Sequence, residues 1–89
     1  EENPALPDPH VWMDPWLWRE VVFAARDELA RLRPDARAAF EANAGRHAGE
    51  LDRLADYAAR VLGTVPEASR VLVTAHDAFG YFGRAYGYE

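Results

Sequence analysis

The sequence has no cysteine, no lysine and no long apolar run. Without cysteine a disulfide-stapled fold is excluded, although the absence suits an exported bacterial protein as well as a cytosolic one. The longest apolar stretch covers residues 21–25, far short of the roughly 18 residues a membrane span needs, so none is expected. Basic charge is also scarce: ten arginines, scattered from Arg19 to Arg84, face fifteen acidic residues for a net charge of −5. That balance, without a basic cluster, argues against a nucleic-acid partner. The chain opens on Glu1-Glu2 with no initiating methionine and no signal-peptide pattern, as expected where preceding residues have been removed.

What is present suffices for one modest core. Of the 89 residues 49% are hydrophobic and 28% charged, a composition that excludes disorder and collagen-like folds. A chain this short buries only about 60–65% of its unfolded surface. Four of its six prolines fall within residues 1–15, which makes residues 3–14 a stiff, extended lead-in. Asp14-Pro15 then reads as a helix start, a capping carboxylate followed by proline at the first helical position. Trp18, Val22, Ala25, Leu29 and Leu32 follow on one helical face, and Pro34 stops the helix near Arg33.

From Asp35 a second periodic stripe runs through Phe40, Ala44, His47, Leu51, Leu54, Ala58 and Val61. It predicts a helix over residues 35–62, with Gly63 supplying a left-handed stop and Pro66 barring continuation. At roughly 42 Å such a helix exceeds the diameter of an 89-residue globule, so part of it is expected to pack against something beyond this segment. Val71-Leu72-Val73-Thr74-Ala75 reads as a short strand of the parallel type, buried on both faces. A last helix is expected over residues 77–85, closed by Gly87. The segment is thus mostly α-helical with one short parallel-type strand. A lone strand with both edges open is a template for association, so the isolated segment is expected to self-associate.

Three histidines are candidates for chemistry. His47 lies on the periodic stripe and reads as an ordinary helix histidine. His10 sits in the stiff loop between Pro9 and Val11-Trp12, held still without belonging to a core face. His76 directly follows the strand, where open parallel sheets bind ligands. Asp77 beside it reads as a helix cap. A path estimate brings His10 and His76 together: the first helix moves the chain roughly 27 Å out, the second returns about 42 Å, and a six-residue strand recovers about 20 Å. The two then finish within about 5 Å of each other along that axis. Two neutral imidazoles make half of a tetrahedral site for zinc or another late divalent metal. Glu20, Glu28 and Glu50 read as solvated helix positions, so no third ligand is evident. An enzymatic use of His76 with Asp77 is set aside, because adjacent residues do not easily share a productive hydrogen bond and no nucleophile is near. A stand-alone helical interaction module, pairing its long apolar stripe with a partner helix, is the alternative.

Two long motifs carry a family resemblance. Asp8-Pro9-His10-Val11-Trp12-Met13-Asp14-Pro15 is one. The other is Val71-Leu72-Val73-Thr74-Ala75-His76-Asp77-Ala78-Phe79-Gly80-Tyr81-Phe82, followed by Arg84-Ala85-Tyr86-Gly87. Together they resemble the central motifs of the zinc- and manganese-binding solute-binding proteins of bacterial ABC transporters. The resemblance covers all 89 residues and about a third of a typical member. It implies an α/β parent of two lobes joined by one long helix, with the metal in the cleft between them. Residues 1–33 would be the end of the first lobe, 34–63 the spanning helix and 64–89 the start of the second lobe. It also implies that His10 and His76 are metal ligands, that two further ligands lie outside this chain, and that an ABC permease is the partner. The location would be extracytoplasmic, periplasmic or lipid-anchored. Histidine rather than glutamate at position 76 favours zinc over manganese.

Overall fold

Asp14 and Pro15 start the first long helix as their chemistry predicts. In a computed structural model of the protein, which describes residues 6–89, Asp14 Oδ1 accepts hydrogen bonds from the backbone N–H groups of Trp16 (2.9 Å) and Leu17 (3.3 Å). A cap of this kind contributes about 1 kcal/mol. Helix α1 spans Pro15–Leu32, a 3-10 turn at Pro34–Ala36 reverses the chain, and helix α2 spans Arg37–Leu62. The two lie antiparallel, with Arg19 Nε 3.0 Å from Asp52 Oδ1 across them. Helix α2 is therefore 26 residues long, about 39 Å, after a short 3-10 lead-in.

The buried face of α2 is not quite the expected one. Ala44, Ala48, Leu51 and Ala55 are buried, whereas His47, Leu54 and Val61 of the predicted stripe are exposed. The cause is size. Alanines let the α1 backbone come close, so α1 settles on the alanine side of a broad apolar arc and leaves the larger residues on its flank. On α1 itself Ala30 is buried, while Leu29 and Leu32 stay exposed. The result is a single layer measuring 52 × 33 × 16 Å, with a radius of gyration of 16.3 Å. A compact chain of this length would have about 12 Å. One face of the layer is thus left without the second layer that folded domains require.

Gly63 departs from expectation. Its backbone is right-handed (φ −70°, ψ −12°), so it does not supply the left-handed stop. The end of α2 is closed instead by right-handed backbone turns, Thr64 N–H donating to the Val61 carbonyl (3.1 Å) and Val65 N–H to that of Leu62 (3.3 Å), with side chains added. The Arg70 guanidinium donates to the carbonyls of Val65 (2.8 Å) and Gly63 (3.1 Å), the Tyr88 hydroxyl donates to that of Leu62 (2.8 Å), and the Thr64 hydroxyl to that of Val61 (2.7 Å). A cation there also suits the helix dipole, and free carbonyls find donors without a special backbone angle.

The expected strand is only begun. Among the described residues no strand forms, and residues 71–75 are exposed and without regular structure. One rung is present: Leu72 N–H donates to the Glu89 carbonyl (2.7 Å) and Glu89 N–H to the Arg70 carbonyl (3.0 Å), the pattern of a parallel pair centred on Val71. A ladder needs further residues on a neighbouring strand, and none lie alongside residues 73–75. The last helix, α3, spans Gly80–Tyr86 and so starts later than expected. The delay comes from a turn in which the Thr74 hydroxyl and the Ala78 N–H both donate to the His76 carbonyl at 2.9 Å. Asp77 consequently caps nothing. Gly87 closes α3 in the left-handed conformation (φ 76°), as expected.

Replacing Arg70 with alanine should remove two charge-assisted bonds and lower unfolding stability by about 1–2 kcal/mol, read as a shift in urea midpoint. An unchanged midpoint would show that water serves these carbonyls equally well.

Candidate metal centre

Pro9 stiffens the approach to His10, and a 3-10 turn at Val11–Met13 fixes the exit. Within this loop Asp8 Oδ1 accepts the His10 backbone N–H at 3.0 Å and lies 2.6 Å from His10 Nδ1. An ionised carboxylate can only accept, so Nδ1 carries the hydrogen, and in the neutral imidazole the lone pair is then on Nε2. Asp8 is held below the usual carboxylate range, first by the His10 backbone N–H and also by the ring, against a partial burial that works the other way. Both side chains are largely sheltered, 16% exposed for His10 and 24% for Asp8. This is the arrangement by which a carboxylate fixes the tautomer and aim of a metal-binding imidazole.

His76 reaches the same place from the other end of the chain. Its ring centroid lies 5.4 Å from that of His10, with the planes at 88°. Trp12 stands on the His10 ring as well, at 5.4 Å and 78°. The means of convergence is aromatic. Trp16, near the start of α1, packs on Tyr86 (5.7 Å), which packs on Phe82 (5.0 Å), and Phe82 contacts Phe79 and Tyr88 (5.9 and 6.1 Å). These contacts dock α3 on the N-terminal end of α1. Burial, and then the nearby Asp14 charge, raise the Tyr86 hydroxyl above its ordinary range.

The remaining candidates stay apart from the pair. His47 is exposed on α2 beside Glu50, with Nδ1 3.3 Å from Oε1. Glu20, Glu28 and Glu50 are exposed, Glu28 on Arg31, as their helical positions suggested. Among the described residues no three His, Asp or Glu side chains converge to hold a metal ion. Two residues escaped the sequence reading. Asp8 was legible in principle, since an aspartate two positions before a residue in a proline-rich loop favours this local bond. Thr74, whose hydroxyl helps fix the His76 backbone, gave no comparable signal. Chemically the arrangement offers two nitrogen donors, one pre-aimed, which suits zinc and other late divalent metals better than oxygen-seeking ones.

Known proteins resemble the chain over its whole length. The family model ZnuA, described as zinc-uptake complex component A periplasmic, matches residues 1–89. The zinc-binding protein TroA of Treponema pallidum is 46% identical over 82 residues, covering 92% of this chain and 27% of that protein. The manganese-binding lipoprotein MntA of Bacillus subtilis is 40% identical over 82 residues, again 92% of this chain and 27% of that protein. The solved structure of the periplasmic zinc-binding protein TroA superposes with a TM-score of 0.91 at 44% identity, over 100% of this chain and 32% of that one. A crystal structure of ZnuA gives 0.90 at 33% identity, over 99% of this chain and 34% of that one. The chain spans about a quarter of the length of the curated relatives it matches. With its whole length matched and its backbone shared with these structures, the chain belongs to the family of the periplasmic component A of zinc-uptake complexes.

Proposed function

We propose that this chain is the central part of a solute-binding protein that captures zinc, with manganese as the second cargo, outside the cytoplasmic membrane and delivers it to an ABC permease. The observation that carries the reading is the meeting of His10 and His76, 66 positions apart in sequence, with their rings 5.4 Å apart. His10, aimed by Asp8, and His76, held by the turn at residues 74–78, act as two of the metal's ligands. The other two come from parts of the protein outside this chain. Residues 1–33 form the end of one lobe, 34–63 the helix that spans both lobes, and 64–89 the start of the other.

The chemistry is capture and release rather than catalysis. Neutral imidazoles coordinate zinc without a change in redox state. A site shared between two lobes lets the metal be held when they close and freed when they part. The two-nitrogen donor set favours zinc. The match over residues 1–89 leaves a stand-alone helical interaction module without support.

Three outcomes test the reading. In the full-length protein His10→Ala and His76→Ala should each weaken zinc binding by at least about 100-fold in titration calorimetry, more than the 10–100-fold typical of an outer-shell partner. Unchanged affinity in both variants would exclude the pair as ligands. The 89-residue segment alone, with two donors, should bind zinc no tighter than about 1 μM, since stable zinc sites use three or four protein ligands. Tighter binding by a monomer would reveal ligands within the segment. With the edge of residues 71–75 open and Val73 90% exposed, that isolated segment should self-associate. A monomeric mass by light scattering would count against it.

A further inference from the structure

We propose that Gly80 is a positioning residue for His10: the missing side chain at the start of α3 leaves the space that the Asp8 carboxylate fills while it orients the imidazole. This rests on the metal-binding reading above. A Cβ at position 80 would lie 2.8 Å from Asp8 Oδ2, too close for any ordinary contact. The other oxygen of the same rigid carboxylate, Oδ1, accepts the His10 backbone N–H and meets Nδ1 at 2.6 Å. The carboxylate therefore lies between His10 and the α3 backbone. A methyl group at position 80 must push it, and the push is passed to the imidazole.

The glycine has no other evident purpose. Among the described residues Gly87 alone has a positive φ, so the backbone at position 80 accepts an ordinary residue. Alanine is also the better helix former. Beyond its chain neighbours and its own helix backbone, the added Cβ would meet only Asp8 within 4 Å. An open hollow lined by Asp8, Gly80, Tyr81 and Arg84 gives the displaced carboxylate somewhere to go, so Gly80→Ala should fold while losing the orientation of His10. The contact also joins the two regions that supply the ligands. Asp8 belongs to the loop of His10, and Gly80 lies four residues after His76.

The test compares Gly80→Ala, Asp8→Asn and the double variant in the full-length protein. The readouts are zinc affinity by competition titration, melting of the metal-free protein, and nitrogen-15 NMR of the His10 ring in the metal-free protein. Each single change should weaken zinc binding about 10-fold. The double should be no worse than the poorer single, because Gly80 acts through Asp8. In Gly80→Ala the His10 ring should shift from the Nδ1–H tautomer toward a mixture, with melting unchanged. An unaltered tautomer, or losses that multiply in the double variant, would overturn the proposal, and a lower melting temperature with the tautomer intact would assign Gly80 a purely structural role. His10→Ala separates the two readings: if it leaves zinc binding intact the metal reading fails, while the tautomer measurement still decides the link from Gly80 through Asp8 to His10.

Discussion

The docking of α3 against the first turn of α1 is the contact on which the rest depends. Trp16, Tyr86 and Phe82 form it, ring against ring, at 5.0 to 5.7 Å. Aromatic pairs of this kind contribute about 0.5–1.5 kcal/mol each beyond the area they bury. Tyr88, in contact with Phe82, also bonds the last turn of α2 through its hydroxyl. Three elements are thus gathered at one end of the helical hairpin. Residues 63–79 form no long helix, yet they are held by the Arg70 bonds to the Gly63 and Val65 carbonyls just past α2 and by α3 on α1. That fixation holds His76 beside His10.

The hairpin itself is built differently, from small residues. Ala30, Ala44, Ala48 and Ala55 make a seam in which Leu51 is the one large buried side chain, and they permit close helix packing at the cost of a thick core. Stability of such a layer relies on covering its other side. Leu54, Tyr57 and Val61 stand exposed on the flank of α2, where a globular domain of this size would place interior residues. A long helix with a second apolar flank suits a strut between two bodies, and this is the role proposed for residues 34–63.

Much of this was legible in the sequence because the signals were local. The Asp14-Pro15 start, the Pro34 stop, the long second helix and the left-handed Gly87 follow from capping chemistry and fixed backbone angles. Even the approach of His10 to His76 emerged from adding helix rises. The misses share a different cause. Periodicity located an apolar arc on α2 but not which side α1 would occupy, since alanine and leucine count alike in a pattern and differ in how closely a neighbour can come. Gly63 was misread because the last carbonyls of α2 are met by the backbone of Thr64 and Val65 and by the Tyr88 hydroxyl, 26 residues from Leu62, without a left-handed residue. Thr74 and Ala78 closed a turn where a helix start was expected at Asp77. The strand at residues 71–75 was misjudged for the plainest reason: a strand is a property of two segments, and one segment was in view.

The single rung between Val71 and Glu89 nevertheless fixes a direction. Two parallel segments cannot be joined by a tight turn; the chain must leave, cross over and come back to the same end. Here α3 is that crossing. The polypeptide therefore has to exit the sheet edge at residues 74–79, at the carboxyl end of the first segment, and the first side chains of that exit are thrown clear of any later ladder. His76 is among them. Its availability is thus a matter of topology: had residue 89 paired in the opposite sense, a short hairpin would have sufficed, and no broad turn would have been needed to present an imidazole.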